Sequence, residues 1–102
     1  MSDAFLVEAA GPIARITLNR PQAGNTLTID ALRALSGAIT ELGGAADRRA
    51  IVIAGAGADF CLGRDTSGGP PKEKPSALQM RANLTAPILD VYRGLRETPV
   101  PV

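Results

Sequence analysis

Between Ala50 and Asp65 the chain reads AIVIAGAGADFCLGRD, an apolar run that empties into a glycine-rich loop closed by Gly-Arg-Asp. Ala50 to Ala54 has the length of a strand buried on both faces, as in a parallel sheet, and ligands of such sheets gather where the strands end. Function is therefore expected in this loop, where glycines at 55, 57 and 63 let the backbone come close to a ligand. Two familiar phosphate-binding loops do not match. The dinucleotide fingerprint needs a glycine three residues after the second, where this chain has Phe60. No Gly-Lys-Ser/Thr closes the segment, and Pro70-Pro71 follows soon after.

The rest of the chain supplies a scaffold for the loop. Phe5 to Ala9 and Ile13 to Leu18 read as two strands joined through Gly11-Pro12. In the second, Ala14, Ile16 and Leu18 fall on one face and Arg15 and Thr17 on the other, so one side is buried. After a loop from Asn19 to Leu27, Thr28 is placed to cap a helix, with Asp30 near the positive end of its dipole. Ile29, Leu32, Leu35, Ile39 and Leu42 repeat at helical spacing, and Gly43-Gly44 stops the helix. The order strand, strand, helix, strand then implies a crossover that sets the strand at Ala50 parallel to its partner. Thr66 to Pro75, rich in Ser, Gly, Pro and Lys, reads as a mobile surface loop. A helical pattern returns from Ser76 to about Leu95, with Leu84, Ile88, Val91, Tyr92 and Leu95 on one face and a kink or break expected at Pro87. Thr98 to Val102 looks like the lead-in to a further strand.

Composition excludes several classes. A chain of 102 residues, 45% hydrophobic and 21% charged, is one domain at most. A net charge of +1 with scattered Lys and Arg gives no electrostatic case for nucleic acid. Met-Ser-Asp-Ala at the start shows no basic region followed by an apolar core, and no apolar run approaches the length of a membrane span, so a cytoplasmic location is expected. Cys61 is the single cysteine and there is no histidine, which rules out an internal disulfide, the usual catalytic triads and most zinc sites. No metal site is expected.

Leu18-Asn19-Arg20-Pro21 followed by Asn25, and about 35 residues later Phe60-Cys61-Leu62-Gly63-Arg64-Asp65, form a pair whose order and spacing resemble the crotonase family, the enoyl-CoA hydratases and isomerases. The resemblance covers roughly residues 5 to 102. It implies an α/β fold of the crotonase (ClpP/crotonase) type, built of repeated ββα units, with this chain as the N-terminal part of a single domain that is truncated or cleaved before its second half. It implies an enzyme acting on an acyl-CoA thioester through an enolate-type intermediate, with two backbone N–H groups holding the thioester oxygen. By position, the Arg64 N–H would be one of them. Leu62, Gly63, Arg64 and Asp65 would bind substrate, with Ala23 nearby. No cofactor is implied beyond the coenzyme A of the substrate itself. The second donor and the acid/base carboxylates would lie past Val102, and family members commonly form trimers or hexamers. A lone N-terminal half would expose the face of the Ile29 to Leu42 helix or the sheet edge next to Val100. The alternatives are a non-catalytic crotonase-fold protein that serves assembly or coenzyme A binding, and another reaction of the same fold: hydrolysis, dehalogenation or decarboxylation.

Individual side chains carry their own alternatives. Asp65 reads as a cap on the following turn, with a general base as the other reading. The Arg64 side chain is either a bystander to its backbone or a group for a phosphate of coenzyme A. Cys61, without a neighbouring base, reads as a buried small apolar residue. Asn25 is expected to tie the loop before the helix through its side chain. Glu41, Glu73 and Glu97 sit on exposed segments and none forms an acid/base pair.

Overall fold

The computed structural model describes residues 4–67 and 73–102. Its elements are β1 (Phe5–Glu8), β2 (Ile13–Leu18), a 3-10 turn (Pro21–Ala23), α1 (Ile29–Gly43), β3 (Ala50–Gly55), α2 (Ala77–Met80), a π-helical turn (Arg81–Thr85) and α3 (Ala86–Glu97). The three strands form one sheet in the order β1-β2-β3. β1 runs antiparallel to β2, with Phe5 opposite Leu18, and β3 runs parallel to it, with Ile13 opposite Ala50. This is the expected ββα unit followed by a crossover strand, and β2 and β3 end side by side. Of the loop expected from Thr66 to Pro75, residues 68–72 lie outside the described residues.

Alternation along β2 sets the core. Ala14, Ile16 and Leu18 are buried against α1, which contributes Ala31, Leu35, Ile39 and Leu42. Thr28 caps α1 as expected, its hydroxyl accepting from the Ala31 N–H at 3.1 Å. α1 ends at Gly43, and the carbonyl of Leu42 in its last turn is satisfied by the Nε of Arg48 at 3.0 Å. The same guanidinium donates to the carbonyls of Ala9 and Gly11, so one side chain ties the helix end to the β1-β2 hairpin.

Three expectations are corrected. β3 is not buried on both faces: Ile51 is buried, but Val52 is 38% exposed, because its face, shared with Leu6 and Ile13, carries no covering layer among the described residues. The α1 face does not stand open either. α3 packs on it through half-buried Ile88, Val91 and Leu95, and Ser36 Oγ donates to the Asp90 carbonyl at 3.2 Å. Pro87 does not break its helix. A π turn precedes it, with the Ala86 N–H bonded to the Arg81 carbonyl five residues back. The wider turn relieves the clash between a proline ring and the carbonyl four residues earlier, so α2, the π turn and α3 run on without interruption. At the far end Pro101 accepts from the Ile51 N–H at 2.9 Å, which lays the chain terminus along the free side of β3 as the expected lead-in.

Gly43 does more than end a helix. A Cβ there would overlap Thr98 Oγ1, a buried hydroxyl with no hydrogen-bond partner among the described residues. Gly43→Ala is therefore expected to lower stability by about 1–3 kcal/mol through overpacking, despite its gain of about 1 kcal/mol in helix propensity. Thr98→Ala in the same chain should recover part of the loss. Urea unfolding of the two single variants and the double variant checks the coupling, and strict additivity would remove this packing account.

Candidate active site

Two loops leave the carboxyl ends of β2 and β3 and are bound into one body. The Ala56 N–H donates to the Leu18 carbonyl at 2.8 Å where the strands end. Asn25 sits between the loops, 1% exposed and at a φ of 57°. Its Oδ1 accepts from the Arg20 N–H at 2.7 Å, and its Nδ2 donates to the Ala56 and Asp59 carbonyls at 2.9 and 2.8 Å. The expected tie within its own loop is present. The two bonds across to the glycine-rich loop, 31 and 34 residues away, carried no signal in the sequence.

The second half of the glycine-rich loop then runs beside residues 24–27. Leu62 N–H donates to the Gly24 carbonyl at 3.0 Å, Leu27 N–H to the Gly63 carbonyl at 3.0 Å, and Asp65 N–H to the Leu27 carbonyl at 2.9 Å. Leu27 and Arg64 form a parallel bridge. In such a bridge one residue bonds to both neighbours of its partner, so the peptide groups of the partner point the other way. Arg64 is that partner. Its N–H has no acceptor among the described residues. Gly63 before it adopts a φ of +118°, a value open to glycine and strained for any side chain.

Gly63 and Arg64 form part of the wall of a pocket of about 370 Å³. Leu32 and Leu35 of α1, Ile53 of β3 and Val91 and Leu95 of α3 make the rest of that wall almost wholly apolar. Cys61 lines it too, half-buried rather than buried, with Sγ 3.7 Å from the Gly63 carbonyl. The other two loop glycines were read as ligand-facing and are not. A Cβ at Gly55 would stand 2.7 Å from the Asp59 carbonyl oxygen, and one at Gly57 2.8 Å from Pro21 Cβ, so both serve the packing of the loop on itself and on its neighbour. Around Gly63 there is open space.

On the other side of the bridge lies the polar half. Arg20 Nη1 donates to Asp65 Oδ2 at 3.1 Å and to the Thr26 carbonyl at 3.3 Å, while Asp65 Oδ1 accepts from the Ser67 N–H at 2.8 Å. The Asp65 side chain is 11% exposed. The Ser67 hydroxyl and backbone N–H, followed by the Arg20 guanidinium, hold its carboxyl at about 2, below the ordinary 3.8. The capping role read for Asp65 is thus present, and its carboxylate is engaged away from the pocket. Ala23 is half-buried in the 3-10 turn and Leu62 is exposed over Gly24; neither lines the pocket. Of the residues singled out, the fold brings Gly63 and Arg64 to the pocket and leaves Ala23, Leu62 and Asp65 outside its wall.

Two variants probe this body. Asn25→Asp keeps one acceptor but sets a second carboxylate oxygen against the Ala56 and Asp59 carbonyls, so a loss of about 2–4 kcal/mol is expected at neutral pH. The loss should shrink as pH falls and the new carboxyl takes up a proton, which urea unfolding at pH 7 and pH 4.5 would read. At Asp65 the fold depresses the carboxyl, so its stabilising contribution is complete above about pH 4 and fades as pH falls toward 2. The stability difference between the native chain and Asp65→Asn should close over that window, and a difference independent of pH would discard the assignment.

Comparison with known proteins agrees with this geometry. The family model described as enoyl-CoA hydratase/isomerase matches residues 8–102. The structure of an enoyl-CoA hydratase from Mycobacterium smegmatis superposes with a TM-score of 0.82 at 32% identity, over 99% of this chain and 38% of that one. An enoyl-CoA hydratase/carnithine racemase from Magnetospirillum magneticum gives 0.82 at 26% identity, over 100% and 38%. An enoyl-CoA hydratase from Mycobacterium avium subsp. paratuberculosis shares the fold at 20% identity, with a TM-score of 0.81 and the same coverage. A comparison with curated proteins gave no match. The chain spans about 38% of the length of these structures, corresponding to the N-terminal part of the crotonase fold. No described helix is long and apolar enough to cross a membrane. With the two loops, their spacing and the fold in agreement, the chain belongs to the enoyl-CoA hydratase/isomerase family.

Proposed function

We propose that this chain supplies one half of the active site of a cytoplasmic enoyl-CoA hydratase or isomerase, with the Arg64 N–H as a donor to the thioester oxygen. The observation that carries the reading is that Arg64, a residue of the wall of an apolar pocket, has an N–H turned away from Leu27 by the bridge and without an acceptor among the described residues. As a proton is removed from, or water added to, an enoyl thioester, negative charge gathers on the carbonyl oxygen. A fixed N–H in a water-poor pocket stabilises that charge without having to reorganise, and one such donor is worth roughly 2.7–4 kcal/mol. The acyl chain would then lie among Leu32, Leu35, Val91 and Leu95, and coenzyme A would leave along the rim at Ala23, Leu62 and Asp65. No cofactor enters beyond the coenzyme A of the substrate. The second donor and the acid/base carboxylates belong in this reading to a C-terminal half, and the assembled enzyme would be a trimer or hexamer.

The backbone character of the donor gives a discriminating pair. In the complete enzyme, Gly63→Val should abolish turnover of crotonyl-CoA, because a β-branched residue cannot hold a φ of +118° and the Arg64 peptide would turn. Arg64→Ala should keep kcat within a few-fold. A tenfold rise in KM with kcat intact would instead make the Arg64 side chain a binding group for coenzyme A. Residues 1–102 without the C-terminal half should show no turnover, and measurable hydration by them alone would overturn the division of the site.

A further inference from the structure

Arg20 lies outside the pocket, yet its guanidinium spans the strand pairing on which the Arg64 N–H depends. The pairing is short. Two hydrogen bonds hold it at Leu27, from Leu27 N–H to the Gly63 carbonyl and from Asp65 N–H to the Leu27 carbonyl, and a third, from Leu62 N–H to the Gly24 carbonyl, lies before Gly63. On one side it is entered through Gly63, whose φ of +118° marks a position with wide backbone freedom. On the other side Thr66 and Ser67, the described residues that follow directly, belong to no helix or strand. Beyond Gly63 the strip is thus held by the two bonds at Leu27 alone, and its Asp65 end would fray most readily.

Arg20 supplies the missing restraint. One nitrogen, Nη1, donates both to the Thr26 carbonyl and to the Asp65 carboxylate, and these two residues each adjoin a member of the Leu27–Arg64 bridge, one from either strand. The guanidinium is itself anchored, because the Arg20 backbone N–H donates to Asn25 Oδ1 and the Arg20 carbonyl accepts from the Ala23 and Asn25 N–H groups. The carboxylate is 11% exposed and the guanidinium 30%, so the pair is less screened than a surface ion pair.

We infer that Arg20 is a positioning residue: acting through Asp65, it clips residues 63–65 to residues 26–27 and so fixes the direction of the Arg64 N–H. This inference rests on the function proposed above for that N–H. Removing the clip leaves the binding pocket intact, because none of its wall is made by Arg20 or Asp65. It loosens only the donor, whose value to catalysis lies in being held in place before charge develops. The signature is therefore a fall in kcat with KM little changed.

Four variants of the complete enzyme test it: Arg20→Gln, Asp65→Asn, the pair together and Arg20→Lys. At a temperature well below unfolding, Arg20→Gln and Asp65→Asn should each lose at least tenfold in kcat on crotonyl-CoA, and Arg20→Gln, which lies outside the proposed binding residues, should keep KM within twofold. The double variant should be no worse than the singles, since both remove the same clip. Arg20→Lys, which keeps the charge but offers a point donor, should recover part of the rate. Amide hydrogen exchange gives a reading independent of turnover: Asp65 N–H should lose protection at least tenfold in Arg20→Gln while the amides of α1 stay unchanged. Unaltered Asp65 protection would overturn the clip, as would a rate loss shared equally with the stability of α1. Intact turnover in Arg20→Gln would overturn the inference alone, whereas an inactive unsubstituted enzyme would overturn the proposed function and with it the catalytic part of the inference.

Discussion

The buried amide of Asn25 is the interaction on which the rest of the site depends. At 1% exposure every polar atom of this side chain must find a partner, and each orphan would cost about 1–3 kcal/mol. Its oxygen and its nitrogen find three, in two loops that are far apart in sequence. The arrangement also holds Asn25 at a φ of 57°, a conformation that asparagine tolerates better than most side chains. Beyond Ala56 and Asp59, which are anchored to it, the remaining residues of the glycine-rich loop run along residues 24–27. The orientation of the Arg64 peptide follows from that course.

The strip from Leu62 to Asp65 thereby acquires two unlike sides. Toward Arg20 it is polar, and the carboxylate of Asp65 is held ionised by Ser67 and the guanidinium. On the pocket side Gly63 and Arg64 join leucine, isoleucine and valine side chains, and the Arg64 N–H has no acceptor among the described residues. Separating the two has a physical consequence. On the function proposed above, a charge developing in the pocket would meet a dipole in apolar surroundings, where it counts for more than in water, while the Arg20–Asp65 pair stays on the other side of the bridge. Asp65, the one carboxylate of the loop's closing motif, is thus bound into the framework rather than offered to a substrate.

Much of the framework was legible in the residues. The period of two along β2, the helical period and Thr28 cap of α1 and the crossover into a parallel β3 all appear as read, because each is dictated by local geometry within a single element. The failures share a cause. β3 reads as doubly buried from its composition, yet burial depends on which layers pack against it, and Val52 faces none among the described residues. Pro87 reads as a break by the ordinary α-helical rule, and the widened turn before it lies outside that rule. Gly55 and Gly57 read like Gly63, although their close approaches are to the protein's own carbonyls and to Pro21.

The sequence by itself determined the elements, their order, the family and the loop in which the candidate site lies, since periodicity, caps and motif spacing are properties of neighbouring residues. Tertiary structure alone decided which partners those residues take. The bonds from Asn25 to Ala56 and Asp59, the Arg20–Asp65 pair and the reach of Arg48 from a loop to a helix end and a hairpin join residues whose separation leaves no periodic trace. A polar side chain in a loop has many possible partners along the chain. Only folding, by burying it where water cannot serve, selects which of them it must meet.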